Sequence, residues 1–313
     1  MPEAAEVRRI TDKLRSRLKG RSLLFLTWTQ HNRHTAYLEQ VWPQIESKFP
    51  STCLDILCKG KQLFFFLENG LAFIGGLGME GHWYYFKAGS LEYQSGINYK
   101  MFCLHFGKQV IRRGITWYIG DTELWYDDQR SFGNFKVGTW ADAFSKMNEL
   151  GPDMLATTYP LTDINMVISG LLPESFRERP TLEMFQQKIR APRRSGMELC
   201  RFLMNQEYFS GVGNYLKAEI LYRARLHPAR TLGSLTDEEI FRLFPACLQT
   251  IAQAYEHGGL THGTFLDPDR EKGTFPVAVY KREGHTDVHG YAIKRIETSD
   301  KRSTYIVEEL QKI

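Results

Sequence analysis

The strongest constraint on this chain is a change of hydrophobic period near Gly151-Pro152-Asp153. From residue 22 to about 140 the apolar residues come in short runs separated by turns: Gln62–Leu67, Leu71–Gly75, His82–Lys87, Met101–Phe106, Ile115–Ile119 and Glu123–Tyr126. Their aromatic and β-branched enrichment, with Glu68-Asn69-Gly70 as a hairpin turn, predicts a β-sandwich or flattened barrel. After the break the period lengthens to that of a helix. Leu182–Ile189, Met197–Asn205 and Asn214–Ala224 read as helices, and Thr236-Asp237-Glu238-Glu239 opens another toward Glu256 with a capping-box pattern. Beyond Gly273 the chain turns extended again at Val277–Arg282, Tyr291–Glu297 and Ser303–Val307. The expectation is an α+β protein: a β-sandwich with a leading helix over residues 1–149, then a helical domain over 150–313 whose last part, 277–313, is a β-hairpin. Neither βαβ alternation nor a glycine-rich phosphate loop is present, which argues against a nucleotide-binding α/β fold.

Residues 1–20 supply the leading helix. Val7, Ile10, Leu14 and Leu18 line one face, Arg8, Arg9, Lys13, Arg15 and Arg17 cover the others, and Gly20 marks the stop. At 313 residues the chain is long enough for about two domains, each with its own core. No apolar run approaches the ~18 residues needed to cross a bilayer and no signal-peptide pattern opens the chain, so no membrane partner is expected. The five cysteines (Cys53, Cys58, Cys103, Cys200, Cys247) are scattered and mostly in apolar settings. They read as buried thiols of a reducing compartment, the cytoplasm or nucleus. A net charge of +4 allows a polyanionic partner without demonstrating one.

Several short stretches carry chemistry. Removal of Met1 would expose Pro2 as a free secondary amine with the Glu3 carboxylate beside it, and nucleophilic amines and placed carboxylates are standard catalytic parts. Lys61 follows a glycine at the start of a hydrophobic strand, where it is either a cation projecting from the strand edge or a solvated turn lysine. Met79 sits on a glycine-rich turn, and Arg130 and Phe132 share a polar turn. Residues of these types can wedge into a base stack and replace an expelled base. Gly211-Val212-Gly213-Asn214 turns the chain sharply into a helix whose first N–H groups form a phosphate site, though an ordinary αα-hairpin has the same spacing. His285 and His289 have a spacing a metal could use, but no cysteine or further histidine completes a tetrahedral set.

Taken together, these residues resemble the formamidopyrimidine-DNA glycosylase / endonuclease VIII family of base-excision repair enzymes. The resemblance runs from Met1-Pro2-Glu3…Glu6-Val7 through Lys61, Leu77-Gly78-Met79-Glu80-Gly81 and Gln129-Arg130-Ser131-Phe132-Gly133. It continues in Gly211-Val212-Gly213-Asn214…Glu219…His227-Pro228, similar to the family's helix-two-turns-helix. It ends in Val279–Gly284 and Lys301–Tyr305, similar to the start and end of its finger hairpin.

The resemblance implies Pro2 as nucleophile, Glu3 as proton donor, and Lys61 and Arg302 as phosphate-contacting, proton-transferring groups. It places Asn214, Met79, Arg130, Phe132 and Glu6 among the DNA-binding positions. It implies no cofactor, and damaged DNA, double- or single-stranded, as the partner of a monomer. One departure is Ala5, where the family has proline. Another is the finger: Asp287 or its neighbour, His289, Val307 and Leu310 stand where the family's metal thiolates would be. No metal is therefore expected, with Val307 and Leu310 packing the hairpin instead, as in a zincless-finger branch typical of animals and some large viruses. Two rivals are a catalytically silent damage binder and a structural nucleic-acid-binding protein with the same helical motif.

Overall fold

The computed structural model describes residues 2–29, 32–79, 81–90, 100–128, 130–260 and 266–313; Met1, Glu80 and Gln129 of the motifs above lie outside the described residues. Helix α1 spans Ala4–Leu18. Glu3 caps it reciprocally with Glu6, and the chain leaves it through Lys19 and Gly20, the latter at φ +81°. The sequence-predicted face of α1 is fully buried: Val7, Ile10, Leu14 and Leu18 all have no exposed surface.

The strands are β1 (Ser22–Trp28), β2 (Ser51–Lys59), β3 (Gln62–Leu67), β4 (Leu71–Gly76), β5 (His82–Lys87), β6 (Lys100–Arg112), β7 (Ile115–Asp127) and β8 (Asn134–Thr139). They form one antiparallel sheet in the order β5-β7-β6-β1-β2-β3-β4-β8. β1 and β2 pair at only two positions, Ser22 with Thr52 and Leu23 with Ser51, so the sheet creases there into two four-stranded layers. Ring contacts close the layers: Phe102 on β6 meets Phe135 on β8 at 4.4 Å, and Phe65 on β3 meets Trp83 on β5 at 5.6 Å. Alternation along β3 divides its residues between two cores. Leu63, Phe65 and Leu67 face the sandwich, while Phe64 and Phe66 pack under α3 (Trp140–Asn148), α4 (Met166–Leu171) and α5 (Glu174–Arg177).

The helical half contains α6 (Leu182–Arg190), α7 (Leu199–Met204), α8 (Asn214–Ala224) and α9 (Asp237–Glu256), with the final hairpin β9 (Lys294–Thr298) and β10 (Arg302–Ile306). Three expectations are corrected. Residues 33–45 form a helix, α2 (Arg33–Ile45), in a region expected to be all strand. Asn32 starts it by accepting from the His34 and Thr35 N–H groups, and Leu38 and Ile45 bury its inner face. The runs at Ile115–Ile119 and Glu123–Tyr126 are one continuous strand, β7. Val277–Arg282 is not a strand, because the Glu219 carboxylate accepts the N–H groups of Ala278, Val279 and Tyr280 that a strand ladder would need.

Candidate active site

Pro2 and Glu3 reach the C-terminal half through close backbone contacts. Ala4 N–H donates to the Gly211 carbonyl at 3.1 Å, and Gly211 sits at φ +114° with no room for a side chain, since a Cβ there would lie 2.7 Å from that of Ala4. Gly213 is equally constrained, because its Cβ would stand 2.2 Å from the Glu3 carboxyl carbon. The Glu3 carboxylate takes the start of α8, accepting from Gly213 N–H (2.7 Å), Tyr215 N–H (3.0 Å) and Leu216 N–H (3.2 Å). The helix start that the sequence suggested for phosphate thus holds the protein's own carboxyl group.

Burial dominates Glu3. Loss of solvent, with a smaller push from Glu6 nearby, raises its pKa to about 7 against the lowering by Lys61 and by the α8 amides. Glu6 is itself buried: Oε2 accepts from Glu3 N–H at 2.8 Å, and Oε1 accepts from the Tyr215 hydroxyl at 2.8 Å and from Leu260 N–H at 2.6 Å. Its carboxylate is engaged by the scaffold on every side described. Tyr215 is a site residue that the sequence did not single out.

Lys61 is brought in by the β2–β3 turn. Gly60 N–H donates to Asp153 Oδ2 at 2.8 Å, and a Cβ on Gly60 would lie 2.6 Å from that of Ser210, so the turn packs directly on the loop before α8. Burial lowers the Lys61 ammonium pKa; Glu3 works against that and Arg302 with it, which puts all three in one electrostatic neighbourhood. Its neighbour Lys59 is a structural cation, donating at 2.8 Å to each of the Met147, Leu150 and Ser175 carbonyls. Pro2 and Lys61 line a cavity of about 160 Å³ together with Gln62, Gly76, Leu77, Gly78, Phe132 and Asn134.

The loops around that cavity carry the other expected residues. Phe132, which lines the cavity, and Met79, the residue after its lining residue Gly78, are about half exposed, at 54% and 48%. Arg130 lies 5.4 Å from the Phe132 ring centre. Asn214 opens α8 and donates from Nδ2 to the Ser303 carbonyl at 2.9 Å, tying α8 to the strand that begins with Arg302.

The finger is packed by Val279, Ile293, Tyr305 and Val307 against Ala218, with Leu310 alongside. Asp287, at one of the positions that would hold a metal, accepts from the Tyr222 hydroxyl and from the His289 and Tyr291 N–H groups, all at 2.9 Å. Val307 and Leu310 offer no donor atom at all, so this set does not fit a tetrahedral metal.

Two family models match the chain: the formamidopyrimidine-DNA glycosylase N-terminal domain over residues 1–135 and the formamidopyrimidine-DNA glycosylase H2TH domain over residues 171–265. A formamidopyrimidine-DNA glycosylase of Exiguobacterium is 26% identical over 280 residues, 90% of this chain and 87% of the relative. One from Streptococcus pneumoniae is 25% identical over 316 residues, 100% of this chain and 99% of the relative. These relatives are bacterial and give no support to the animal or viral source expected from the finger.

Among solved structures, Lactococcus lactis Fpg bound to DNA with an abasic site superposes with a TM-score of 0.76 at 20% identity, covering 99% of this chain and 100% of that one. The same protein with N7-benzyl-Fapy-dG DNA gives 0.76 at 21% identity and full coverage of both chains. With oxidised-pyrimidine DNA it gives 0.75 at 20% identity, again over both full chains. With both domain models in chain order and the fold common to the full length, the chain belongs to the formamidopyrimidine-DNA glycosylase family of DNA-repair enzymes.

Proposed function

We propose that the protein is a bifunctional DNA glycosylase and abasic-site lyase acting as a monomer on damaged double- or single-stranded DNA. The observation that carries this reading is the pairing at the cavity: the Pro2 position opens into it beside Lys61, and the adjoining Glu3 carboxyl is raised to about 7, where it can serve as an acid. Once Met1 is removed, the Pro2 nitrogen attacks C1′ of the damaged nucleotide. The bond from C1′ to the base breaks, and the base leaves with the bonding pair and a proton. Glu3 gives its proton to the ring oxygen, opening the sugar and leaving an iminium between Pro2 and C1′. That cation acidifies the C2′ proton; its removal expels the 3′ phosphate, and a second elimination expels the 5′ phosphate. Water then releases Pro2.

Arg302 and Lys61 contact the phosphates and move protons in the eliminations, and Asn214 holds a flanking phosphate. Phosphate contacts position the strand and make affinity salt-dependent without reading the lesion. Met79, Arg130 and Phe132 fill the space left by the flipped base, at a few kcal/mol of unstacking that is least for weakly stacked lesions. Oxidised pyrimidines and ring-opened purines are the favoured substrates, a preference supported by the lesion-bearing DNA held by the Lactococcus protein.

Borohydride reduction in the presence of abasic DNA tests the covalent step. A trapped adduct is expected with the native protein and reduced lyase activity with Pro2→Gly, whereas cleavage without an adduct would reject the amine mechanism. Glu3→Gln should impair base removal more than cleavage of a preformed abasic site; equal loss of both would reject its assigned role.

A further inference from the structure

The loop carrying Arg130 and Phe132 is exposed at its tip and clamped at its base. Both ends of the clamp meet on one buried carboxylate, Asp128, which has no exposed surface. Asp128 Oδ2 accepts from Gly133 N–H at 2.7 Å and from the Tyr126 hydroxyl at 3.3 Å, and Oδ1 accepts from Phe132 N–H at 3.3 Å. The Asp128 carbonyl accepts from Ser131 N–H at 2.9 Å, closing the turn with Ser131 at φ +53°.

Helix α2 reaches across the sandwich to the same point. His34 Nε2 lies 3.1 Å from Asp128 Oδ2, and His34 is only 3% exposed. One residue earlier, the Arg33 guanidinium donates to the Gly133 carbonyl; further on, the Tyr37 hydroxyl donates to the Val137 carbonyl and accepts from Val137 N–H. Burial alone would push the Asp128 carboxyl up, but the His34 hydrogen bond and the Gly133 N–H hold it below the usual range. An ionised carboxylate with several donors is a strong anchor, and removal of one donor leaves a buried charge undercompensated.

We infer that His34 and Asp128 are positioning residues that preset the Arg130–Phe132 loop for entry into the duplex, and so govern action on lesions that have a partner strand. Neither residue touches DNA; they act through the loop. A loop held in its working conformation loses less freedom on insertion than one that must be ordered during binding. Where the opposing nucleotides are missing there is no stack to refill, and the preset contributes nothing. This inference rests on the proposed role of Arg130 and Phe132 in filling the space of the flipped base.

The test compares two abasic duplexes that are identical except that one lacks the nucleotides facing the lesion. For His34→Leu, kcat/KM on the intact duplex should fall by about tenfold or more, mainly through KM, with the gapped duplex cleaved within about twofold of the native rate. His34→Gln, which keeps a donor, should restore most of the loss. With 2-aminopurine opposite the abasic site, saturating His34→Leu should produce a smaller fluorescence change than the native protein. Equal losses on both duplexes, or a glutamine variant no better than leucine, would overturn the inference. If His34→Leu does not fold, isosteric Asp128→Asn must give the same split between substrates, and its failure to do so is equally decisive. Phe132→Ala separates the two readings: no effect on the intact duplex rejects the void-filling role, whereas a clear effect beside an inert His34→Leu rejects only the brace.

Discussion

A carboxyl group that accepts three amide hydrogen bonds would ordinarily be a strong acid, because those bonds favour the ionised form. Glu3 does the opposite, and the difference lies in its burial with Glu6 close behind it. The acid form is the populated one below about 7 and is depleted as pH rises through that value. Single-turnover base removal should therefore lose rate across that range, while cleavage of preformed abasic sites falls less. Lys61 pulls the Glu3 value down, so Lys61→Met should move the falling limb to higher pH as well as reduce the rate. A limb that stays in place, or moves to lower pH, would show that Lys61 does not act on Glu3. Glu3 could be nominated from its place beside Pro2, and Lys61 only from the family resemblance, since its local motif also fits a solvated turn lysine. Their state was not legible, because it depends on burial in the folded chain, and the α8 start against which Glu3 is buried lies over 200 positions away.

At the level of elements, α8 holds the site and the finger at once. Its first turn binds Glu3, Asn214 ties it to β10, and the fully buried Lys217 pairs with Asp300 at 2.6 Å in the turn that precedes Arg302. Two residues further on, Glu219 gathers three successive N–H groups at 278–280. This is why the sequence reading of that stretch failed: its short apolar run, Val277 to Tyr280, fits a strand, but a distant side chain had already taken the backbone donors. The α2 helix was missed for the converse reason. Its Asn32–Thr35 capping box was a usable signal, but Pro43 and the β-rich surroundings masked its helical period. Glu219→Gln replaces an ionic acceptor of three donors with an amide that can accept through one oxygen only. It should cost about 1.5–3 kcal/mol in denaturant unfolding and increase proteolysis between residues 277 and 313. Unchanged stability and protection would mean that the apolar packing of Val279 and Val307 holds the finger without Glu219.

Across the whole molecule, α1 is the element that both halves share. Ala4 and Ala5 belong to the core of the helical half, and Val7, Ile10, Leu14 and Leu18 to that of the sandwich. Its polar side adds ion pairs from Arg9 to Asp267 and Glu271, from Lys13 to Asp267 and Asp269, and from Arg17 to Asp269. The change of period at Gly151 made two halves legible in the sequence, but it could not reveal that the first helix is built into both. A shared helix next to Pro2 and Glu3 couples assembly of the site to the integrity of the entire chain. Leu14→Ala should accordingly cost about 2–5 kcal/mol, and the halves should still unfold together. The sequence allows a direct measurement, because all six tryptophans (28, 42, 83, 117, 125 and 140) precede the break. Tryptophan fluorescence therefore reports the sandwich half, while ellipticity at helical wavelengths draws on helices from both sides of the break. Coincident midpoints in the native protein and in Leu14→Ala are expected. Two separated transitions would mean that the cores are independent and that α1 bridges them without coupling them.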